Sequence, residues 1–373
     1  MANNKTKSVM LIITHACNLH CSYCYEANKE SRGSNTMTLI TAKNILSKAI
    51  ESMGEDCENL IIQFMGGEPL LCFDLIKDVC EWLWSLNLKV NLQLSAPTNG
   101  TLLSDRMKPW LIKNGHRFWL QLSFDGDPLM QNANRSKSAH QIDLDFFVKT
   151  FSTNGVKMTL SPQTLPRFAE GVQFLFAKGF KIVEANAAMG KNVGWKHEHL
   201  RTLAVELDKL VWFYYEHPKY KPMTFFNIPV WSVLNEDAQS QVCGCGRAFK
   251  SYDIDGTDYP CQIFSPLSMS REQALQSRLL DFDQIEDEYQ GICASCILKK
   301  LCMNCPGINF RDYGDCNKRT AFNCAQFKLF FLASCKLFRL KALRDNDIEL
   351  REAIDEVTRV ITLNKNKQYG NSL

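Results

Sequence analysis

The chain has 373 residues, too many for one ordinary core, so two domains are expected. Lys and Arg number 43 against 40 Asp and Glu, a formal charge of +3 with no five-residue basic run, so there is no electrostatic case for a nucleic-acid partner. No apolar run reaches membrane-spanning length, and the opening Met-Ala-Asn-Asn-Lys-Thr-Lys lacks the apolar core of a secretory signal, so no membrane is expected either.

Sixteen cysteines stand out against 45% hydrophobic and 22% charged residues, an otherwise ordinary globular balance. In a long chain without a signal peptide they point to metal rather than disulfides, and to a reducing cytoplasm.

Short β-rich runs alternate with longer amphipathic stretches through the first half. Met10–Thr14 is followed by a helical pattern at Thr41–Ser52, Leu60–Phe64 by Phe73–Leu86, and Val90–Leu94 by Ser104–Lys113. Phe118–Phe124 precedes Leu144–Phe151, Val156–Leu160 precedes Phe168–Lys178, and Lys181–Glu184 closes the series. Repeats of this length predict parallel strands with crossover helices, as an open sheet or a partial barrel. The unusual residues decide for the barrel, because each group follows the C-terminal end of a strand, where barrel enzymes gather their sites.

After the first strand come Cys17, Cys21 and Cys24, with Tyr23 between the last two. Three thiolates leave the fourth iron of a cubane cluster open, and an open position is the mark of a catalytic rather than a structural metal site. A zinc site or three buried thiols is the plain alternative. After the second strand comes Gly66-Gly67-Glu68-Pro69. There two glycines permit close backbone approach to a ligand, and a carboxylate can bind an ammonium group. Thr98-Asn99 ends the third strand, Ser123-Phe-Asp125-Gly126 the fourth and Ser161-Pro162 the fifth. Each of these segments also reads as an ordinary turn.

After Asn186 the rhythm stops. An aromatic helix pattern spans His199–Tyr215, with Trp212 and Tyr214-Tyr215 read as core and His197-Glu-His199 as a solvated helix start. Cysteines then crowd together: Cys243, Cys245 and Cys261, then Cys293-x-x-Cys296, Cys302, Cys305 and Cys324. Paired Cys-x-x-Cys units are a strong metal signature, shared by zinc ribbons and iron–sulfur clusters. Of the rest, Cys80 and Cys335 read as small core residues, Cys72 lies near the expected pocket, and Cys57 and Cys316 are unassigned. The stretch Ala325–Arg344 predicts an amphipathic helix packed back on the barrel, and the tail from Asn364 is expected to fray.

The triplet and the strand-end segments together resemble the radical S-adenosylmethionine (SAM) enzymes. The C-terminal cysteines, with Gly256-x4-Cys261, resemble the SPASM extension of that family. The resemblance implies a partial (βα)6 TIM-type barrel over 8–225, a cysteine-rich SPASM domain over 226–326 and C-terminal helices over 327–373. It implies three [4Fe–4S] clusters. The first would sit on Cys17, Cys21 and Cys24 and bind SAM. Another would use Cys243, Cys261 and Cys305, with Cys245 offered as the fourth ligand. The third would use Cys293, Cys296, Cys302 and Cys324, with Cys316 competing for the last place.

In this chain only two residues separate Cys302 from Cys305, where the family has three. For SAM, the resemblance assigns Gly66, Gly67, Glu68 and Pro69 to the methionyl amino group. It assigns Ser123 and Asp125 to the ribose, Tyr23 to the adenine, and Thr98, Asn99 and Ser161 to further contacts. The implied reaction is reductive cleavage of SAM and hydrogen abstraction from a peptide or protein, served by an external electron donor such as flavodoxin or ferredoxin. A ribosomally made peptide is the leading substrate, crosslinked or otherwise oxidised. The alternatives are a sulfatase maturase making formylglycine, a porphyrin-processing enzyme and a non-catalytic iron–sulfur electron carrier. The sulfatase maturases carry an aspartate after the Gly-x4-Cys cysteine, where this chain has Gln262, an amide that cannot act as a base. About seven residues precede the first strand, so a leader peptide is expected to be held by a separate protein or by the barrel surface.

Overall fold

The computed structural model describes residues 5–26, 33, 35–234, 243–285 and 293–368. Strand β1 (Thr6–Thr14) leads to helix α1 (Leu39–Glu51), which Thr38 starts by accepting the Thr41 N–H. There follow β2 (Asn59–Gly66), α2 (Phe73–Ser85), β3 (Asn91–Thr98), α3 (Lys108–Asn114) and β4 (Phe118–Ser123). Next come α4 (Pro128–Asn134), α5 (Leu144–Phe151), β5 (Val156–Leu160), α6 (Phe168–Lys178), β6 (Val183–Ala187) and α7 (Glu198–Glu216). The C-terminal half adds β7 (Phe249–Tyr252), β8 (Asp258–Tyr259), α8 (Arg271–Ser277), α9 (Phe282–Ile285), α10 (Pro306–Tyr313), α11 (Ala321–Arg344) and α12 (Ile348–Gln368).

The six expected strands are parallel neighbours in sequence order, the arrangement of a (βα)6 partial barrel. Apolar residues of each strand face the helices: Val9, Leu11 and Ile13 of β1, and Val156, Met158 and Leu160 of β5, are all buried. The intervening residues face the barrel interior, so polar side chains such as Gln63, Gln121 and Lys157 line its cavity.

The sheet does not stop at β1. Its full order is β6-β5-β4-β3-β2-β1-β7-β8, with β7 parallel to β1 and antiparallel to β8. The cysteine-rich half therefore extends the barrel's own sheet. A buried contact ties the same two regions together: His15 Nε2 lies 2.5 Å from Asp253 Oδ1, in the β7–β8 turn.

Helix α11 packs back on the barrel, as its pattern predicts. Phe330 stacks on Phe225 at 3.9 Å, and the buried Ser334 hydroxyl donates to the Phe225 carbonyl. This helix runs unbroken across residue 326, and Phe327, Phe330 and Phe331 share one core with Leu203, Leu207 and Leu210 of α7. The smaller core of the C-terminal half gathers Cys245, Tyr259, Cys261, Phe264, Phe310 and Cys316. In place of fraying from Asn364, the backbone stays helical through Gln368, and the residues beyond lie outside the described ones. Among the described residues no helix is long and apolar enough to cross a membrane.

Candidate functional site

The cysteine triplet sits on the loop leaving β1, and two glycines shape that loop. Gly66 has φ +139°, and a Cβ there would stand 2.2 Å from the Thr14 carbonyl oxygen. A Cβ on Gly67 would stand 2.2 Å from the Ala16 oxygen and 2.9 Å from Cys17 Cβ. With no side chains in the way, Gly67 N–H donates to Thr14 O at 3.0 Å and Glu68 N–H to Ala16 O at 2.9 Å. The glycines thus admit the loop's own backbone. From the other side, Ser22 N–H donates to Asn134 O and His20 N–H to Ser136 Oγ, both at the end of α4.

Cys17, Cys21 and Cys24 line a cavity of about 550 Å³ at the C-terminal mouth of the barrel. Gly66, Gly67, Glu68, Pro69, Thr98, Asn99, Ser123 and Tyr23 line it too. Glu68 is 1% exposed. Its carboxylate accepts from Thr98 Oγ1 at 2.7 Å, Asn99 N–H at 2.8 Å and Leu70 N–H at 3.0 Å. Burial pushes its pKa up, and those donors oppose the shift. Thr98 and Asn99 thereby hold the carboxylate at the wall.

Two expected SAM contacts sit elsewhere than on that wall. Asp125 is fully buried behind it, its carboxylate taken by Tyr23 Oη at 2.5 Å, Thr159 N–H at 2.8 Å and Asn134 Nδ2 at 3.0 Å. Ser161 is likewise buried, donating to Asn134 Oδ1 at 2.7 Å. Both hold the wall's framework, while Ser123 and Tyr23 face the cavity.

Arg135 is a lining residue that sequence reasoning missed. Its Nε stands 3.2 Å from Asp125 Oδ1, and its guanidinium lies 5.5 Å from the Tyr23 ring centre. The signal was present: Asp127-Pro128 caps and opens α4, with Asp127 Oδ1 accepting the Leu129 and Met130 N–H groups.

The same cavity reaches the C-terminal thiols Cys243, Cys245, Cys261 and Cys305. Cys245 hydrogen-bonds both Cys243 and Cys261, which pushes its own pKa up. The Cys243 thiol, supported by that bond, is pulled down to about 6. Cys305, at the N-cap of α10, is pushed up to about 12 by burial and by the nearby charge of Cys261 and Cys243. Gln262 lines the wall beside Cys261, its side chain hydrogen-bonded to the Tyr25 hydroxyl.

A second thiol group lines a small pocket of about 30 Å³: Cys293, Cys296, Cys302 and Cys324, with Lys299, Arg319 and Lys328 at its edge. Arg319 hydrogen-bonds Cys302. Cys316 is not among them. It is buried in the smaller core, its carbonyl accepting from Asn304 and Asn309. Cys72 is half-buried off the cavity wall, 3.9 Å from the Ile13 carbonyl, while Cys80 and Cys335 are core residues as read. His199 Nδ1 accepts the Lys196 N–H at the start of α7, in keeping with a helix start.

These sets fit iron–sulfur chemistry. Their donors are thiols alone, all sixteen cysteines are free of disulfides, and one set opens onto a cavity with a buried carboxylate. Among the described residues no three His, Cys, Asp or Glu side chains close to the geometry of a single metal ion.

Residues 11–128 match the family model described as the radical SAM superfamily. An uncharacterized protein of Methanocaldococcus jannaschii is 30% identical over 217 residues, 55% of this chain and 70% of that protein. The radical SAM cyclopropyl synthase TigE of Paramaledivibacter caminithermalis is 28% identical over 118 residues, 29% of this chain and only 25% of that protein. The AdoMet-dependent heme synthase of Methanosarcina barkeri is 22% identical over 342 residues, 84% of this chain and 94% of that protein.

Among solved structures, anSMEcpe with bound AdoMet and Cp18Cys peptide superposes with a TM-score of 0.66 at 20% identity, covering 91% of this chain and 99% of that one. SuiB of Streptococcus suis, bound to precursor peptide SuiA, gives 0.54 at 16% identity, covering 86% and 76%. At these identities the structures establish the fold alone, a partial barrel.

Two consequences are measurable. Gly67→Ala should drive the cysteine loop off the end of β2, so the reconstituted protein should lose iron from the N-terminal site while keeping the C-terminal sites; iron analysis of G67A beside wild type checks this. Glu68→Gln should weaken SAM binding about tenfold to a hundredfold, the value of one charged hydrogen bond. Because the Glu68 pKa is raised, wild-type SAM affinity should fall on acidification earlier than an ordinary carboxylate, near pH ~4.3, would allow. Affinity titrations across pH should show that limb in wild type and not in E68Q.

Proposed function

Because the chain belongs to the radical SAM superfamily, whose enzymes use a [4Fe–4S] cluster and SAM, we propose that it is a maturase that oxidises a ribosomally made peptide. The product would be a thioether or carbon–carbon crosslink, or another two-electron modification. The observation that carries this reading is the single cavity of about 550 Å³, onto which the open cysteine triplet and a second thiol set both face.

In this reading Cys17, Cys21 and Cys24 hold the SAM-binding cluster. Cys243, Cys245, Cys261 and Cys305 hold a second, and Cys293, Cys296, Cys302 and Cys324 a third. With SAM bound, a cluster held by Cys17, Cys21 and Cys24 would supply one-electron chemistry able to remove a hydrogen atom from a substrate carbon. The protein's part is positional. Glu68 takes the methionyl ammonium, with Thr98 and Asn99 fixing its carboxylate. Arg135 takes the methionyl carboxylate, and Ser123 a ribose hydroxyl. Asp125 and Ser161 act from behind the wall, Asp125 orienting Tyr23 and Arg135. The second thiol set lines the same cavity and would hold a cluster whose chemistry is electron acceptance. A small redox protein such as flavodoxin or ferredoxin would supply the first electron, in the reducing cytoplasm that sixteen cysteines outside disulfides suit.

The peptide class is supported by the names of the structural neighbours, three of which hold peptides. Gln262 weighs against formylglycine formation, since its amide cannot take the proton an aspartate would. A porphyrin substrate is the second reading, favoured by the alignment with the heme synthase over most of both chains. An electron carrier is the weakest, because it has no use for a buried carboxylate held open to a cavity.

Anaerobic incubation of the reconstituted protein with reductant, SAM and the peptides encoded beside its gene should remove two hydrogens from one of them, read by mass spectrometry. Unchanged peptides beside accumulating 5′-deoxyadenosine would transfer the case to the porphyrin and sulfatase readings.

A further inference from the structure

Strand β5 carries a charge that the roles above do not use. Lys157 alternates with the buried Val156 and Met158 and so faces the cavity, level with Ser123 on β4 and Glu184 on β6. Glu184 is engaged elsewhere, its Oε2 accepting from the Thr224 N–H and hydroxyl at 3.1 and 2.8 Å. The charged side chains lining the cavity are Glu26, Glu68, Arg135 and Lys157. Glu68 is held by three donors, and Arg135 stands beside Asp125. Among the described residues the Lys157 ammonium makes no hydrogen bond or ion pair. Lys157 is half-buried, and an anion arriving in the cavity would find its ammonium available for a charge-assisted hydrogen bond.

Two anions compete for it, the SAM carboxylate and a carboxylate of the substrate. The SAM carboxylate shares its carbon with the ammonium assigned to Glu68, so its partner must stand near Glu68. Arg135 does so, its charge acting to hold the Glu68 carboxyl down. Lys157 remains for the substrate. The amides of Gln63, Gln121 and Asn186 line the same cavity and suit a peptide backbone.

We propose that Lys157 is a specificity residue, pairing with a carboxylate of the peptide segment that enters the barrel, either an acidic side chain or a free C-terminus. The assignment rests on the peptide reading above. It makes the substrate class an acidic one, recognised within the barrel itself by a charge-assisted hydrogen bond.

The test uses a randomised synthetic peptide library, made once with free C-termini and once with C-terminal amides. It is incubated anaerobically with reconstituted wild type, K157R, K157Q and K157E, and the modified peptides are sequenced by mass spectrometry. Wild type and K157R should select peptides with a carboxylate near the modified residue. Loss of selection in the amidated library assigns the C-terminus, and its retention assigns Asp or Glu side chains. K157Q should lower the selection about tenfold or more, and K157E should turn it toward Lys and Arg, with the SAM dissociation constant changing less than about twofold throughout. Selection blind to charge in wild type, or unaltered in K157Q, overturns the assignment. So does a tenfold rise in the SAM constant of K157Q, which would make the cofactor's carboxylate the partner. A library left wholly unmodified by wild type, while 5′-deoxyadenosine forms, overturns the peptide reading itself and the assignment with it.

Discussion

The site depends on one backbone contact, the meeting of the end of β2 with the loop that carries the first three cysteines. Gly67 and Glu68 donate their N–H groups to Thr14 and Ala16, and the approach leaves no space for a Cβ at residue 66 or 67. That contact fixes the loop against the barrel mouth and turns the thiols toward the cavity. In the same stroke it sets the start of the next turn, so the Glu68 side chain folds under Thr98 and Asn99 at the cavity wall. A glycine pair that reads as room for a ligand is, at the atomic level, room for another strand's loop.

The second constraint is that the two halves share a sheet. Strand β7 occupies the free edge of β1, and Asp253 reaches back to His15, two residues before Cys17. An isolated partial barrel would expose the β1 edge to pairing with other chains; here it is covered, and the covering strand delivers Cys245 and Cys261 to the cavity. Placement of one thiol set relative to the other is therefore a property of strand register and a buried contact. Chemistry that needs both sets at one substrate is sensitive to displacements of an ångström.

Much of this was legible in the residues. The bounds of β5, α5 and α6 follow from clear periodicity: Val156, Met158 and Leu160 alternate in β5, and the Phe-rich faces of α5 and α6 are bounded by Asp143 at one end and Gly179 at another. The thiol groups were legible as a resemblance that left Cys316 competing with Cys324, and the fold groups Cys324 with the later set while burying Cys316 in the smaller core.

What was not legible is which side of a wall a strand-end side chain takes. Ser123 and Asp125 are two residues apart, yet one faces the cavity and the other anchors Tyr23 from behind. The turn at Gly126, with φ +71°, reverses the chain between the strand and α4. Helix α4 was hidden because Asp-Gly-Asp-Pro reads equally as a turn and as a helix start, and with it went Arg135. Strands β7 and β8 are four and two residues long, too short to show periodicity.

Radical generation is expected to depend on Cys17, Cys21 and Cys24 and not on the later thiols. Its most direct test is 5′-deoxyadenosine release, with reductant and SAM under anaerobic conditions, by wild type and by C17A/C21A/C24A. Release is expected from wild type and none from the variant, which should keep the iron and absorbance of its C-terminal sites. Undiminished release from the variant would contradict that dependence, as would a fully iron-loaded wild type that releases none.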